Sequence, residues 1–262
     1  MRRVAVATLV VAVLSACATR KTVSPPAVLD TTVPTGDQLL STLSARRQLL
    51  RSIRAMARLS YSSPEESRRA KQVILAERPD RLRLEVLSPL GAVFVLTTSG
   101  GRLAAYARNE STVYRGAASP TNLERYTSVD LPVHAAVDLL MGTPPMAAAG
   151  SVVVSRDDGL VKMWQEAGPA VRVTWFTPEL DPIRFEQHDD QGQVLLRATF
   201  AAYTAVSGVR LPTQIALETP ASQRQVTIEL LEPEVNPPLP DTLFALDTPQ
   251  GSKEIDLDQV AN

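Results

Sequence analysis

Strict alternation of polar and apolar residues is the feature that most constrains how this chain can fold. Arg81–Val86 reads Arg-Leu-Arg-Leu-Glu-Val, and the same period recurs in four later segments, at residues 171–175, 183–186, 214–218 and 225–230. A period of two places apolar side chains on one face of a β-strand and polar ones on the other. Such strands are typical of an antiparallel sheet with one solvated face.

Turn and helix signals separate these strands. Three loop sequences predict hairpin turns, at Ser99-Gly100-Gly101, Asp157-Asp158-Gly159 and Asp189–Gly192. Apolar residues at helical spacing predict an amphipathic helix over Gly36–Arg51, with Asp37 at its N-cap, and a short helix over Pro132–Met141 that Gly142 ends. We therefore predict a mainly β (α+β) domain at residues 36–250, with about ten antiparallel strands in a strongly curved sheet and helices covering its concave face.

The N-terminus resembles the signal sequence of a bacterial lipoprotein. Arg2 and Arg3 precede an apolar run that ends in Leu14-Ser15-Ala16-Cys17. The run is too short to span a membrane as a mature helix, and small residues before the cysteine suit a signal peptidase. We predict that residues 1–16 are removed and that Cys17 becomes the lipid anchor. An ordinary signal peptide with a chance cysteine is the alternative.

The segments outside the domain carry few apolar residues. Residues 17–35 are predicted to be the lipidated cysteine and a flexible tether rich in proline and threonine, and residues 251–262 a polar tail. Ala18 after the cysteine favours the outer membrane. Cys17 is the only cysteine, so no disulfide can form. Without residues 1–16 the chain has 25 basic and 28 acidic residues, a net charge of −3, which disfavours nucleic-acid binding.

Sequence motifs give no indication of an enzyme, a cofactor or a metal centre. The nucleophile elbow, the phosphate loop, the dinucleotide glycine pattern and the zinc-protease motif are all missing from the sequence. His188 with Asp189 and Asp190 could in principle hold a metal, but turn chemistry explains these residues more simply. The apolar strand faces either pack as a filled core or, if the sheet closes only partly, leave an apolar cleft.

Two segments resemble the LolB family of outer-membrane lipoprotein receptors, and a third resembles a related carrier. Pro79–Gly91 resembles that family's alternating Arg/Leu strand and Pro-Leu-Gly loop, and Leu131–Pro145 resembles its segment of Leu-Pro, helix and Gly-x-Pro. The C-terminal part from Leu211 to Phe244 is more similar to the related periplasmic carrier LolA. The resemblance covers most of residues 38–250.

The resemblance implies an unclosed half-barrel whose cavity holds the acyl chains of a lipoprotein. It implies a membrane-insertion loop at Pro89, Leu90 and Gly91, in which Leu90 enters the bilayer; a turn residue packed into the core is the alternative for Leu90. The matching cavity lining is Leu82, Leu84, Val86, Val173, Trp175, Phe185, Ile215, Leu217 and Ile228, and the lid helix carries Val133, Val137 and Leu140. Arg81 and Arg83 are expected to be solvated charges, with contact to lipid headgroups or a carrier as the alternative.

Three functions follow from these expectations. The first is a monomeric receptor, anchored in the outer membrane and facing the periplasm, that accepts lipoproteins from a LolA-like carrier. The second is a lipoprotein of the same fold that binds another lipid. The third is a structural or partner-binding envelope lipoprotein with a filled core. Movement of acyl chains between apolar sites needs no catalytic group. Burial of each CH₂ group in an apolar site contributes about 0.8 kcal/mol to binding, and this partition alone can drive the transfer.

Overall fold

The computed structural model describes residues 33–147, 150–168 and 170–259. The predicted signal peptide, Cys17 and most of the predicted tether lie outside the described residues. No helix in the described ranges is both long enough and apolar enough to cross a membrane.

One sheet of fourteen strands forms the body of the described chain. The strands are β1 (Ser52–Ser62), β2 (Ser67–Glu77), β3 (Arg81–Ser88), β4 (Gly91–Ser99), β5 (Arg102–Ala107), β6 (Thr112–Ala117), β7 (Val152–Asp157), β8 (Leu160–Ala167), β9 (Ala170–Phe176), β10 (Pro182–His188), β11 (Val194–Val206), β12 (Val209–Thr219), β13 (Arg224–Val235) and β14 (Lys253–Asp256). Their spatial order is β14-β6-β5-β4-β3-β2-β1-β13-β12-β11-β10-β9-β8-β7, so the sheet is unclosed and has β14 and β7 at its edges.

The predicted class and open sheet are confirmed, but the predicted count of about ten strands is wrong. The three predicted hairpin turns are confirmed, since they join β4 to β5, β7 to β8 and β10 to β11. Several strands lack a clear period of two. β2, for example, begins Ser-Arg-Arg-Ala-Lys-Gln, which is polar on both faces. Pairing with its neighbours β1 and β3, rather than its own pattern, fixes this segment as a strand.

Three helices accompany the sheet, namely α1 (Gly36–Leu49), α2 (Pro120–Thr127) and α3 (Val133–Leu140). α1 and α3 match the predicted helices. The N-cap of α1 is Thr35 rather than Asp37, because Thr35 and Gln38 form a reciprocal capping box. The sequence analysis missed α2, although Ser119 caps it and a proline occupies its first turn.

All three helices pack on the same face of the sheet, which we call the inner face. It carries Leu82 of β3, Leu96 of β4 and Phe185 of β10, and their cross-strand partners continue it over the sheet. α2 and α3 join the main core on this face, whereas Leu39 and Leu43 of α1 pack over β7–β9 in a second cluster. The outer face is largely polar.

Buried ion pairs attach the helices to one end of the sheet. Asp138 of α3 is buried and pairs with both Arg47 of α1 and Arg78 of the β2–β3 turn. Arg46 of α1 donates to the buried Asp181 at 2.8 Å. Burial and the neighbouring charge of Arg47 lower the pKa of Arg78 to about 10, so Arg78 stays charged at neutral pH. These contacts connect α1, α3 and the strand ends through polar groups removed from solvent.

The C-terminal segment is part of the fold, and the prediction of a polar tail after residue 250 places the domain end too early. β14 pairs in parallel with β6, and Leu257 is buried in the main core. Before β14, residues 237–248 cross the outer face, where Phe244 packs on Leu75. The chain therefore passes around the β6 edge, from the outer face of the sheet to its inner face.

Arg81 and Arg83 hold this crossing segment, which corrects their assignment as solvated charges. Arg83 donates to the backbone carbonyl of Leu243 at 2.9 Å. Arg81 donates to the carbonyl of Leu239 at 3.3 Å, and its guanidinium lies over the ring of Phe244. Both side chains are only partly exposed, since the C-terminal segment covers them.

Candidate functional site

The β3–β4 hairpin presents an exposed leucine. The tight turn places Pro89, Leu90 and Gly91 outside the core, and Leu90 is 86% exposed, the highest value among the exposed large apolar side chains of the described chain. Gly91 has φ +102°, a conformation that favours glycine. The Ser88 hydroxyl accepts from the Leu90 amide and donates to the Gly91 carbonyl, which fixes the turn. The alternative in which Leu90 packs into the core is therefore excluded.

The inner face is less covered towards this hairpin. We call the end of the sheet that carries the β1–β2, β3–β4 and β5–β6 turns the Leu90 end. Away from it, inner-face residues of β1–β4 are almost fully buried: Ile53 0%, Ile74 0%, Leu82 1% and Leu96 0% exposed. Towards the Leu90 end, the inner-face residues Leu59, Tyr61, Val86 and Phe94 are only half-buried. Leu84 and Tyr114, which lie level with Ile74 and Leu96 across the sheet, are also half-buried. On β1–β6 the accessible apolar surface of the inner face thus lies towards Leu90. On β11–β13 the half-buried inner-face residues Val206, Val209 and Val235 lie at the opposite end.

A cleft of about 470 Å³ opens at this end. It lies between the inner face of β4–β6, helix α2 and the segment around β14. Its lining consists of Phe94, Ala107, Asn109, Glu110, Tyr114, Arg125, Tyr126, Ile255 and Leu257. The volume is within the range of about 300–1,000 Å³ that is usual for small-molecule sites. Aromatic and aliphatic side chains form most of its walls.

Three aromatic rings line one side of the cleft. The ring centroids of Phe94 and Tyr126 are 5.4 Å apart, and those of Tyr114 and Tyr126 are 6.1 Å apart. Burial and the neighbouring Tyr114 raise the pKa of Tyr126 to about 12. The Tyr114 hydroxyl donates to the carboxylate of Glu110, which also raises the pKa of Tyr114. Both phenols are therefore neutral at physiological pH, and the surface suits an apolar ligand.

The predicted cavity-lining residues lie mostly in a packed core. Seven of the nine are inner-face residues, namely Leu82, Leu84, Val86, Phe185, Ile215, Leu217 and Ile228. Phe185 is 0% and Ile215 1% exposed, and the packed side chains around them leave no surface for a ligand. Of these seven residues, only Leu84 and Val86 are half-buried and retain accessible surface.

Val173 and Trp175 lie on the outer face, which corrects their prediction as cavity lining. Thr174, between them, is directly opposite Phe185, so its two neighbours point the other way. The amino group of Lys162 lies 5.0 Å and the guanidinium carbon of Arg184 4.8 Å from the centroid of the Trp175 ring. The alternation of residues 171–175 shows that neighbouring side chains point to opposite faces of the sheet. It does not show which of them point to the inner face.

The predicted lid helix packs closely on the sheet. Val133, Val137 and Leu140 of α3 are 4%, 0% and 7% exposed and belong to the main core. Sequence reasoning missed α2 and the C-terminal segment, which supply Tyr126 and Leu257 to the cleft. The Ser119-Pro120 pair was a usable signal for α2. Leu257 follows a polar stretch and has no periodic pattern that would have identified it.

The site has the properties of a binding surface. In the parts of the chain that the structure describes, no group of three or more His, Cys, Asp and Glu residues is placed to hold a metal. His188 contacts the Glu186 carboxylate at 3.1 Å and the Gly192 carbonyl at 3.2 Å, away from the cleft residues. What the geometry offers is an apolar cleft next to an exposed leucine.

Comparison with known proteins gives both a family and a fold. The family model described as outer membrane lipoprotein LolB matches residues 51–232, which include β1–β12 and most of β13. We found no significant match among curated protein sequences.

Solved structures share this architecture at low sequence identity. A LolA superfamily protein from Nitrosomonas europaea has a TM-score of 0.58 and 13% identity, over 82% of this chain and 99% of that one. A DUF1329 family protein from Desulfovibrio piger has a TM-score of 0.54 and 14% identity, over 80% and 96%. A putative outer membrane lipoprotein-sorting protein domain from Vibrio parahaemolyticus has a TM-score of 0.52 and 12% identity, over 79% and 94%. At these identities the likeness concerns the fold.

Proposed function

Because this chain belongs to the LolB family, whose model is described as outer membrane lipoprotein LolB, we propose that it binds the acyl chains of lipoproteins and helps insert them into the outer membrane. The observation that carries the proposal is the position of Leu90. A leucine that is 86% exposed lies at the same end of the sheet as the accessible apolar part of the inner face of β1–β6. One end of the molecule would thus contact the bilayer and hold the cargo.

The proposed mechanism is partition between apolar surfaces. An acyl chain leaves a carrier, lies in the cleft beside Phe94 and Tyr126, and then enters the bilayer into which Leu90 inserts. Each step exchanges one apolar environment for another, so no catalytic group is needed, and we assign the protein no enzymatic role. The bilayer acts as the final acceptor because it can take the whole acyl chain, at about 0.8 kcal/mol per CH₂.

Several elements of the proposal concern residues outside the described ranges. We propose that Cys17 carries the lipid anchor, that residues 18–32 tether the half-barrel to the membrane, and that the body faces the periplasm. The protein would act as a monomer and accept its cargo from a LolA-like periplasmic carrier. These statements come from the sequence and from family membership.

Native mass spectrometry of a chain that begins after Cys17 and is exported in bacteria tests the proposal. All the hydrophobic clusters of the described body lie within residues 33–257, so this chain keeps the core contacts. We expect bound mass equal to an acylated peptide. Leu84→Gln, which alters the half-buried inner face, should abolish it, whereas Met56→Gln on the exposed outer face should not.

The other outcomes identify the alternatives. Bound phospholipid without acylated peptide would favour a lipoprotein of the same fold that carries another lipid. A polypeptide that stays bare after incubation with lipoproteins would overturn acyl-chain binding and leave a structural role. Transfer of a labelled lipoprotein from a carrier to outer-membrane vesicles then tests insertion itself.

A further inference from the structure

We propose that three basic side chains around Leu90 form a binding surface for the anionic headgroups of a phospholipid bilayer. The residues are Arg69, Lys71 and Arg108, which we call the basic cluster. The inference rests on the proposed function, because insertion of Leu90 would bring this end of the sheet to the membrane. It adds a second type of contact, electrostatic and dependent on the headgroup, to the apolar contact of Leu90.

Two members of the cluster lie on β2, beside the hairpin. Lys71 is directly opposite Leu87 in the β2–β3 register. Continuing that register by two residues places Arg69 across from Pro89, at the turn that carries Leu90. Both side chains are exposed. The two residues are two positions apart on the same strand, so their side chains lie on the same face of the sheet. Two cations therefore flank the hairpin on one side.

Arg108 lies on the other side of the hairpin, in the turn between β5 and β6. Its backbone amide donates to the carbonyl of Val93 at 3.0 Å. Its guanidinium donates to the carbonyl of Leu90 at 3.2 Å and is otherwise exposed. The second bond fixes a positive charge at the base of the exposed leucine. Leu90 therefore lies between cations contributed by both neighbouring strand pairs.

The carboxylates of the β1–β2 and β5–β6 turns have partners other than the basic cluster. Their partners are the Ser63 hydroxyl for Glu65, Arg68 for Glu66 and the Tyr114 hydroxyl for Glu110. Within the described ranges, no residue of the basic cluster forms an ion pair with a carboxylate of the chain. Three cations without carboxylate partners thus lie around Leu90, the most exposed large apolar side chain of the described chain, and they remain available to an external anion.

A lipid surface matches this arrangement better than an isolated anion. Leu90 projects from the turn, and the cations lie at its base, so insertion of the leucine would place them at the level of the headgroups. Long basic side chains favour such a position because their stems are apolar and their charges remain in water. Basic residues near an anionic leaflet increase membrane affinity roughly fivefold each at moderate ionic strength.

Vesicle flotation tests the inference with the chain that begins after Cys17, which has no lipid anchor. The vesicles contain phosphatidylcholine alone or phosphatidylcholine with phosphatidylglycerol. The test variant combines Arg69→Glu, Lys71→Glu and Arg108→Glu. The matched control combines Arg51→Glu, Arg102→Glu and Arg156→Glu, which make the same charge change at exposed positions of the opposite end. A neutral variant with glutamine at the three cluster positions provides a milder change, and circular dichroism confirms folding.

We expect tighter binding to the anionic vesicles, weakened at about 1 M salt, where the Debye length is near 3 Å. The cluster variant should lose at least roughly a hundredfold in binding to anionic vesicles. The control should lose much less. Equal binding to both vesicle types, or equal losses in the cluster and control variants, would overturn the inference. So would unchanged vesicle binding combined with lost binding to a carrier protein, because the cluster would then recognise a protein.

The cluster variant also separates this inference from the proposed function. No residue of the basic cluster lines the cleft. Acyl-chain occupancy in native mass spectrometry should therefore stay unchanged in the variant while binding to anionic vesicles falls. Equal binding of the unaltered chain to anionic and neutral vesicles, with normal acyl occupancy, would remove the inference and leave acyl binding intact. Absence of acyl chains in every form would remove the proposed function instead.

Discussion

Replacing Leu90 by alanine should separate membrane binding from folding. Leu90 is 86% exposed, so its side chain gains almost nothing from burial when the protein folds. The free energy of unfolding should change by less than about 0.5 kcal/mol. In the bilayer the same substitution removes every carbon beyond Cβ, which costs about 2 kcal/mol at 0.8 kcal/mol per buried CH₂. That figure corresponds to roughly 30-fold weaker binding to vesicles.

The assay is flotation with phosphatidylcholine vesicles, again with the chain that begins after Cys17, together with thermal unfolding of the same samples. Leu49→Ala is the matched control, because Leu49 is 60% exposed but lies at the end of α1, far from the hairpin. We expect a large loss of vesicle binding for Leu90→Ala only. Equal binding of the two variants would refute the role of Leu90, and a strongly destabilised Leu90→Ala would refute its placement outside the core.

Three further predictions concern stability. Asp138→Ala leaves Arg47 and Arg78 without their buried partner and should lower the free energy of unfolding by about 3–5 kcal/mol. Denaturant unfolding measures this loss, and a surface substitution should cause a much smaller one. Leu257→Ala should cost about 2–5 kcal/mol, because Leu257 is buried; a loss near zero would show that residues after 250 are not part of the fold. Burial raises the pKa of Glu186, but hydrogen bonds from Arg184 and Arg197 outweigh it and lower that pKa below its ordinary 4.5. A depressed carboxyl pKa stabilises the fold above the ordinary value and loses this contribution as pH falls through the folded value. Glu186→Gln should therefore flatten the acid side of the stability profile, and an unchanged profile would contradict this.

The sequence predicted the features that depend on local pattern. Alternation in Arg81–Val86 identified a strand and its inner face correctly, and helical spacing identified α1 and α3. These patterns reflect one buried and one solvated face, which the sequence records directly. β2 was missed because its first half is polar on both faces. Its strand conformation depends on pairing with β1 and β3, which is a tertiary effect.

The site was harder to predict than the fold. The loop at Pro89–Gly91 was identified through its resemblance to the LolB family, and the sequence pattern alone left open whether Leu90 is exposed. Whether an inner-face residue is covered depends on where the helices lie, and the sequence does not contain that information locally. Phe185 and Phe94 are both apolar strand residues, yet one is 0% exposed and the other lines the cleft. Leu257 reaches the cleft only because the C-terminal segment passes around the β6 edge.

Photo-crosslinking shows directly whether the inner face at the Leu90 end holds acyl chains. Benzoylphenylalanine would replace Phe94 in the cleft and, as a control, Met56 on the exposed outer face. Bacterial cells would supply lipoproteins labelled with a clickable fatty acid. We expect light-dependent attachment of labelled lipoprotein at position 94 and none at position 56. Equal labelling at both positions, or labelling at neither, would contradict it.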